Sequence, residues 1–164
     1  MSLNNTELID YSNEHLLYEI NMLKSVAALD PSCIANVRLG GFLTNLRVES
    51  FAIHLRNLIN FLYSDPSGVR DTDVHAGNFY SEKGLWEKVR PAISQTLEIA
   101  RKRANKEVGH LTTERISGSN DPRKPWNIGD LTEEILSVLK LFSSSADKDK
   151  LGARVIDLLN RQKI

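Results

Sequence analysis

The chain has 164 residues, 41% hydrophobic and 26% charged, and its Lys plus Arg equal its Asp plus Glu, for a formal net charge of zero. Such a length and composition suit one globular domain that folds without a metal or disulfide staple, and they exclude a disordered chain. Zero net charge excludes a whole-molecule electrostatic grip on nucleic acid, so RNA or DNA would have to be met at a local patch or in a dimer groove.

A first helix is predicted over residues 6–29, capped by Thr6 or Asn5. Leu8, Tyr11, His15, Tyr18, Met22 and Val26 recur every three or four positions, and Leu16, Ile20 and Leu23 widen the stripe to a second face. His15 reads as a core-edge residue with Tyr18 or a backbone group as partner. Asp30-Pro31-Ser32 stops this helix. Cys33, the one cysteine, rules out an intrachain disulfide, fits a reducing cytoplasm and reads as a small, partly buried apolar residue.

The longest and most apolar helix is expected over residues 35–63, with Gly40-Gly41 marking either its true start or a close helix crossing. Its apolar surface exceeds what one partner helix can cover, which predicts a homodimer. A polar strip runs along it through Glu49, Arg56 and Asn60, with Ile53 among them and His54 and Asn57 beside it. Such a strip needs solvent or partners: it either completes a site or fixes helix register as a buried network.

Residues 64–83 read as an ordered loop with a short helical turn, anchored by Phe79 and Tyr80. Asp71, Asp73 and His75 offer oxygen and nitrogen ligands to a divalent cation, but no further ligand joins them and no metal or cofactor is expected. Pro91 is placed in the first turn of a helix reaching to about Glu114, whose stripe is Ile93, Leu97, Ala100, Ala104, Val108 and Leu111. A second loop spans about 117–128, with Trp126 as a plug. Asp130 is expected to cap a helix with Glu133 at the capping-box position, and Ser143-Ser144-Ser145 to break it. A terminal amphipathic helix carries Leu151, Val155, Leu158 and Leu159. No apolar run reaches the ~18 residues of a membrane span, and no secretory core is present at the N-terminus. The expected architecture is all-α, a single-domain bundle of about five helices with two antiparallel pairs as its core.

The chemistry concentrates at Arg103 and His110. Seven positions apart, about two turns, they share one side of a continuous α-helix, with Glu107 between them and the apolar stripe. An imidazole titrates near neutrality and can move a proton, and a guanidinium can hold two phosphate oxygens. The competing reading is an exposed helix edge on which Glu107 pairs with Arg103.

The spacing Arg103, six residues, His110 resembles the arginine–histidine motif of HEPN domains, in the variant of abortive-infection and toxin members. The helix order over about 35–142 is similar as well. The wider pattern, His54-Leu55-Arg56-Asn57 followed by Asn105-Lys106 and His110-Leu111-Thr112, also resembles bacterial proteins without an assigned activity. The HEPN resemblance implies a dimeric helical bundle that cuts RNA without a metal, with His110 acting on the 2′-hydroxyl and Arg103 stabilising the phosphorane. It also implies an antitoxin-like protein partner. Glu49, His54, Arg56, Asn57, Asn105 and Glu107 would bind or orient. Ala104 stands where the commonest pattern has a polar residue directly after the arginine, and Asn105 follows it. The same fold without activity, serving as a nucleic-acid-binding or protein-interaction module, is the alternative.

Overall fold

The N-terminal stripe opens one residue earlier than expected, because Asn4 and not Thr6 or Asn5 is the cap. The Asn4 side chain accepts from the Glu7 N–H at 3.0 Å, and the Glu7 carboxylate accepts from the Asn4 N–H at 2.8 Å. In the computed structural model the described residues are 3–35, 38–65, 67–68, 70, 72–109, 113 and 125–161. Helix α1 (Asn5–Tyr11) passes through a π-helical stretch, Ser12–Leu16, into α2 (Leu17–Ala28). Ser12 is fully buried there: its hydroxyl donates to the Ile9 carbonyl at 2.9 Å and accepts from the Gly152 N–H at 2.8 Å.

A short helix, α3 (Pro31–Ala35), follows the predicted stop. It leaves Cys33 exposed, against the partly buried position expected, because a five-residue helix presents little surface to pack it. The long helix α4 (Gly40–Tyr63) starts at the glycine pair rather than at residue 35. Its two halves differ. Phe51, Leu55, Leu58, Ile59 and Leu62 are buried, whereas Leu39, Phe42 and Leu46 are exposed.

The 64–83 segment carries the expected turn, a 3-10 stretch Ala76–Phe79, and Phe79 and Tyr80 are buried as anchors. Phe61, Phe79, Tyr80, Trp86 and Phe142 pack ring against ring. Trp86, on α5 (Leu85–Val89), donates its Nε1–H to the Leu62 carbonyl at 2.7 Å, and Arg90 donates to the same oxygen at 2.7 Å. That carbonyl belongs to the last turn of α4, which has no intrahelical donors left, so these two side chains close the helix end.

Pro91 does not open the next helix. Residues 90–94 lie outside any helix, with Arg90 and Ser94 extended, and α6 (Gln95–Arg103) begins where the Ser94 hydroxyl accepts from the Leu97 N–H at 3.0 Å. The helix does not run as an α-helix to Glu114 either: it widens into a π-helical stretch, Ala104–Val108, closed by the Gly109 N–H donating to the Ala104 carbonyl at 3.0 Å. Helix α7 (Ile128–Ser145) starts two residues before Asp130, which sits in its first turn and accepts from the Asn127 amide rather than capping. The serine run does not break it, because Ser144 and Ser145 return their hydroxyls to the Leu141 carbonyl at 2.8 and 2.7 Å. Helix α8 (Ala153–Asn160) ends the described chain.

The fold is all-α, with no strand among the described residues. The buried side chains form one hydrophobic cluster, and α4 is central to it, packing most extensively on α2 and also on α6, α7 and the π-stretch after α6. No described helix is long and apolar enough to cross a membrane.

Candidate functional site

The polar strip of α4 divides between two neighbours. Successive helix residues are about 100° apart, so His54 and Arg56 cannot face one partner. His54, 7% exposed, points at α2 and shares a proton contact with Glu19, Nδ1 to Oε2 at 2.8 Å. Asn57 donates from its Nδ2 to both oxygens of Glu19 at 3.3 Å. Tyr18 sets its ring edge-on to the His54 imidazole at 5.6 Å. His54 and Asn57 therefore do not join Arg103. They orient Glu19, a residue that the sequence did not single out.

Arg56 faces the other way, towards the π-stretch. Its Nη1 donates to the Asn105 side-chain oxygen at 3.3 Å, while its Nε is buried with no hydrogen-bond partner. Gly109 permits the approach: a Cβ there would stand 3.3 Å from Arg56 Nη1 and 3.2 Å from the Asn105 carbonyl. Asn105 thus hydrogen-bonds the long helix to the segment that carries the motif.

Arg103 is held on several sides. Its Nε and Nη2 donate to the two carboxylate oxygens of Glu107, each at 3.0 Å, and its Nη1 donates to the Pro125 carbonyl at 3.1 Å. The guanidinium lies 4.5 Å from the centre of the Trp126 ring, which in turn meets Phe51 edge-on. The ion pair expected at an exposed edge is present but is largely covered, with side-chain exposures of 18% and 11%. Trp126 plugs the core edge as expected, and Arg103 is the clamp that holds the returning chain on it.

His110 lies outside the described residues, as does Asp71. Between Arg103 and Gly109 the chain is π-helical over Ala104–Val108 rather than α-helical. Glu49 is exposed and makes no hydrogen bond or ion pair with the described residues, so it orients neither His54 nor Arg56. Asn60 lines a cleft with Glu19 and Asn57 instead. His15 is exposed and rests on Tyr11 at 4.9 Å, not on Tyr18. Among the described residues no group of three His, Cys, Asp or Glu side chains is placed to hold a metal ion.

What the sequence could not signal is Glu19. Its partners lie 35 and 38 positions away, so only helix packing brings them together. Compared with family models, characterised proteins and solved structures, the chain matches none.

Proposed function

We propose that this chain is a HEPN-like helical module that works as a homodimer and pairs through the N-terminal half of α4. The observation that carries this reading is a stripe of exposed apolar side chains: Leu39, Phe42, Leu46 and Ile53 are 61%, 59%, 44% and 43% exposed. They fall at positions 0, 3, 7 and 14 of a heptad seam, the pattern by which two helices pair. Glu49 is the polar member of that seam. Parallel in-register pairing would set Glu49 against its own copy, whereas an antiparallel arrangement about Leu46 keeps the two carboxylates apart and places Leu39 opposite Ile53. The second copy is therefore the partner best fitted to the stripe. Light scattering on the purified chain tests this: a concentration-dependent dimer is expected, and Phe42→Asp is expected to yield a monomer with unchanged helicity. A wild-type chain that stays monomeric at millimolar concentration removes the reading.

A second reading, the metal-independent endoribonuclease, is favoured by a separate observation. Arg56 and Arg103 come from different helices and both engage the segment that leads directly into Gly109 and His110. In this reading His110 handles the 2′-hydroxyl proton and Arg56, whose Nε has no hydrogen-bond partner, supplies positive charge to the phosphate. Cleavage of single-stranded RNA in the presence of EDTA, lost in His110→Ala and reduced in Arg56→Ala, is the expected result. Intact RNA with wild-type protein across pH 5–9 rejects it, leaving the dimeric module.

A further inference from the structure

We propose that the cleft between the N-terminal helix, the C-terminal half of α4 and residues 72–75 binds a small organic cation: an ammonium or guanidinium group on a short aliphatic chain. The cleft holds about 390 Å³, within the usual size of small-molecule sites, about 300–1,000 Å³. Its charged lining is of one sign. Glu19 comes from α2 and Asp73 from the loop, α4 contributes the amides of Asn57 and Asn60, and among the described residues neither Lys nor Arg lines it. The other titratable groups facing it are Tyr11, His15 and His75. Burial holds the His75 imidazole below its ordinary range, the Glu87 carboxylate countering this and Arg90 adding to it.

The case does not rest on acidity alone. Glu19 is a fixed acceptor, because the buried His54 and the half-buried Asn57 hold its carboxylate from behind, at 2.8 and 3.3 Å. An ionised carboxylate has about four acceptor sites, so capacity remains on the side facing the cleft. The Tyr11 ring, packed on His15 at 4.9 Å, offers a π face of the kind that attracts organic cations. The Asn60 amide and the Ser64 hydroxyl line the same space without a side-chain hydrogen bond to described residues, and so are available to a ligand. The Tyr11 phenol is pushed up by burial first and then by the fields of Glu19 and Asp73, which places the negative potential at the ring pair. A bare metal ion would find no third carboxylate or imidazole in coordinating position among the described residues, whereas a multidonor ammonium uses carboxylates, amide oxygens and ring faces together.

Calorimetric titration of the full chain with putrescine and with agmatine at low ionic strength tests the proposal, independently of self-association. Saturable one-to-one binding is expected for at least one of them, and 1,4-butanediol, neutral and of similar length, should bind at least tenfold more weakly. Asp73→Asn, in an exposed loop position, is expected to weaken the amine about fivefold, the size of one partly exposed charge contact. Asn60→Asp should tighten it by a similar factor, which keeps the proposal testable if the first variant folds poorly. Absence of saturable heat with both amines overturns the proposal, as does affinity unchanged in both variants or equal affinity for butanediol.

Discussion

Arg103 uses a planar guanidinium in a way that no other cation could: two parallel hydrogen bonds to Glu107, a third to the Pro125 carbonyl, and a face against Trp126. Lysine keeps the charge but has neither the fork nor the face. Arg103→Lys is therefore expected to destabilise the chain by about 1–2 kcal/mol, through the lost bidentate pair and the lost ring contact. Urea unfolding followed by far-UV circular dichroism measures this, and an unchanged midpoint would mean that the clamp contributes nothing. A second residue-scale expectation concerns His75. Burial depresses its folded pKa below the unfolded value of about 6.5, so between those two values the unfolded chain binds more protons. The contribution is full above about pH 6.5 and is lost as pH falls through the folded pKa. His75→Gln should flatten that part of the stability–pH curve, and a slope that persists unchanged in the variant assigns it elsewhere. The candidate site was legible in part at this scale. The Arg103–Glu107 pair follows from local spacing, and so does the side of α4 that carries Arg56. The turning of His54 and Asn57 towards Glu19 does not, because it depends on which helix α4 packs against.

Among the elements, the two π-stretches mark where the helical pattern meets a tertiary demand. At Ser12–Leu16 the demand comes from the far end of the chain: Gly152 donates to the Ser12 hydroxyl, and the Asn13 side chain accepts from the Arg154 N–H at 3.2 Å. Gly152 lies so close that a Cβ would fall on the Asn13 amide. Its backbone φ of −64° suits any residue, so the need for glycine is one of space and not of conformation. Gly152→Ala should cost about 1–3 kcal/mol by overpacking. Removing the obstructing side chain should recover part of this, so Gly152→Ala with Asn13→Ala is expected to be less destabilised than the two single changes added. Strict additivity in urea midpoints would show that the Asn13 contact is not the reason. Periodicity made the helices over 6–29 and 130–142 legible, because each buries a stripe at helical spacing. Caps and ends were less so. Asn4 outcompetes Thr6 because Glu7 stands three residues after it, Ser94 outcompetes Pro91 because its hydroxyl reaches an N–H, and the serine run survives because those hydroxyls bond back to the preceding turn.

For the whole molecule, α4 sets both the core and the surface left over. From Phe51 to Leu62 it is the centre of the hydrophobic cluster, yet from Gly41 to Ser50 none of its residues is buried; α3 packs on α4, and Arg47 ties this half to the end of α2 by donating to the Val26 and Ala27 carbonyls at 3.1 and 3.3 Å. A helix half with so little burial opens locally at low free energy even while the other half is protected to the global limit. Hydrogen exchange on a dilute sample should therefore show weak protection over 41–50 and strong protection over 51–62. If a second copy covers the Leu39, Phe42, Leu46 and Ile53 stripe, raising the protein concentration will close the gap in protection between 41–50 and 51–62 and raise the melting temperature by mass action. Phe42→Asp should abolish the concentration dependence and retain the dilute pattern. Uniform strong protection at high dilution would instead place the stability of this half within the monomer, and the pairing proposed for α4 would lose its physical basis.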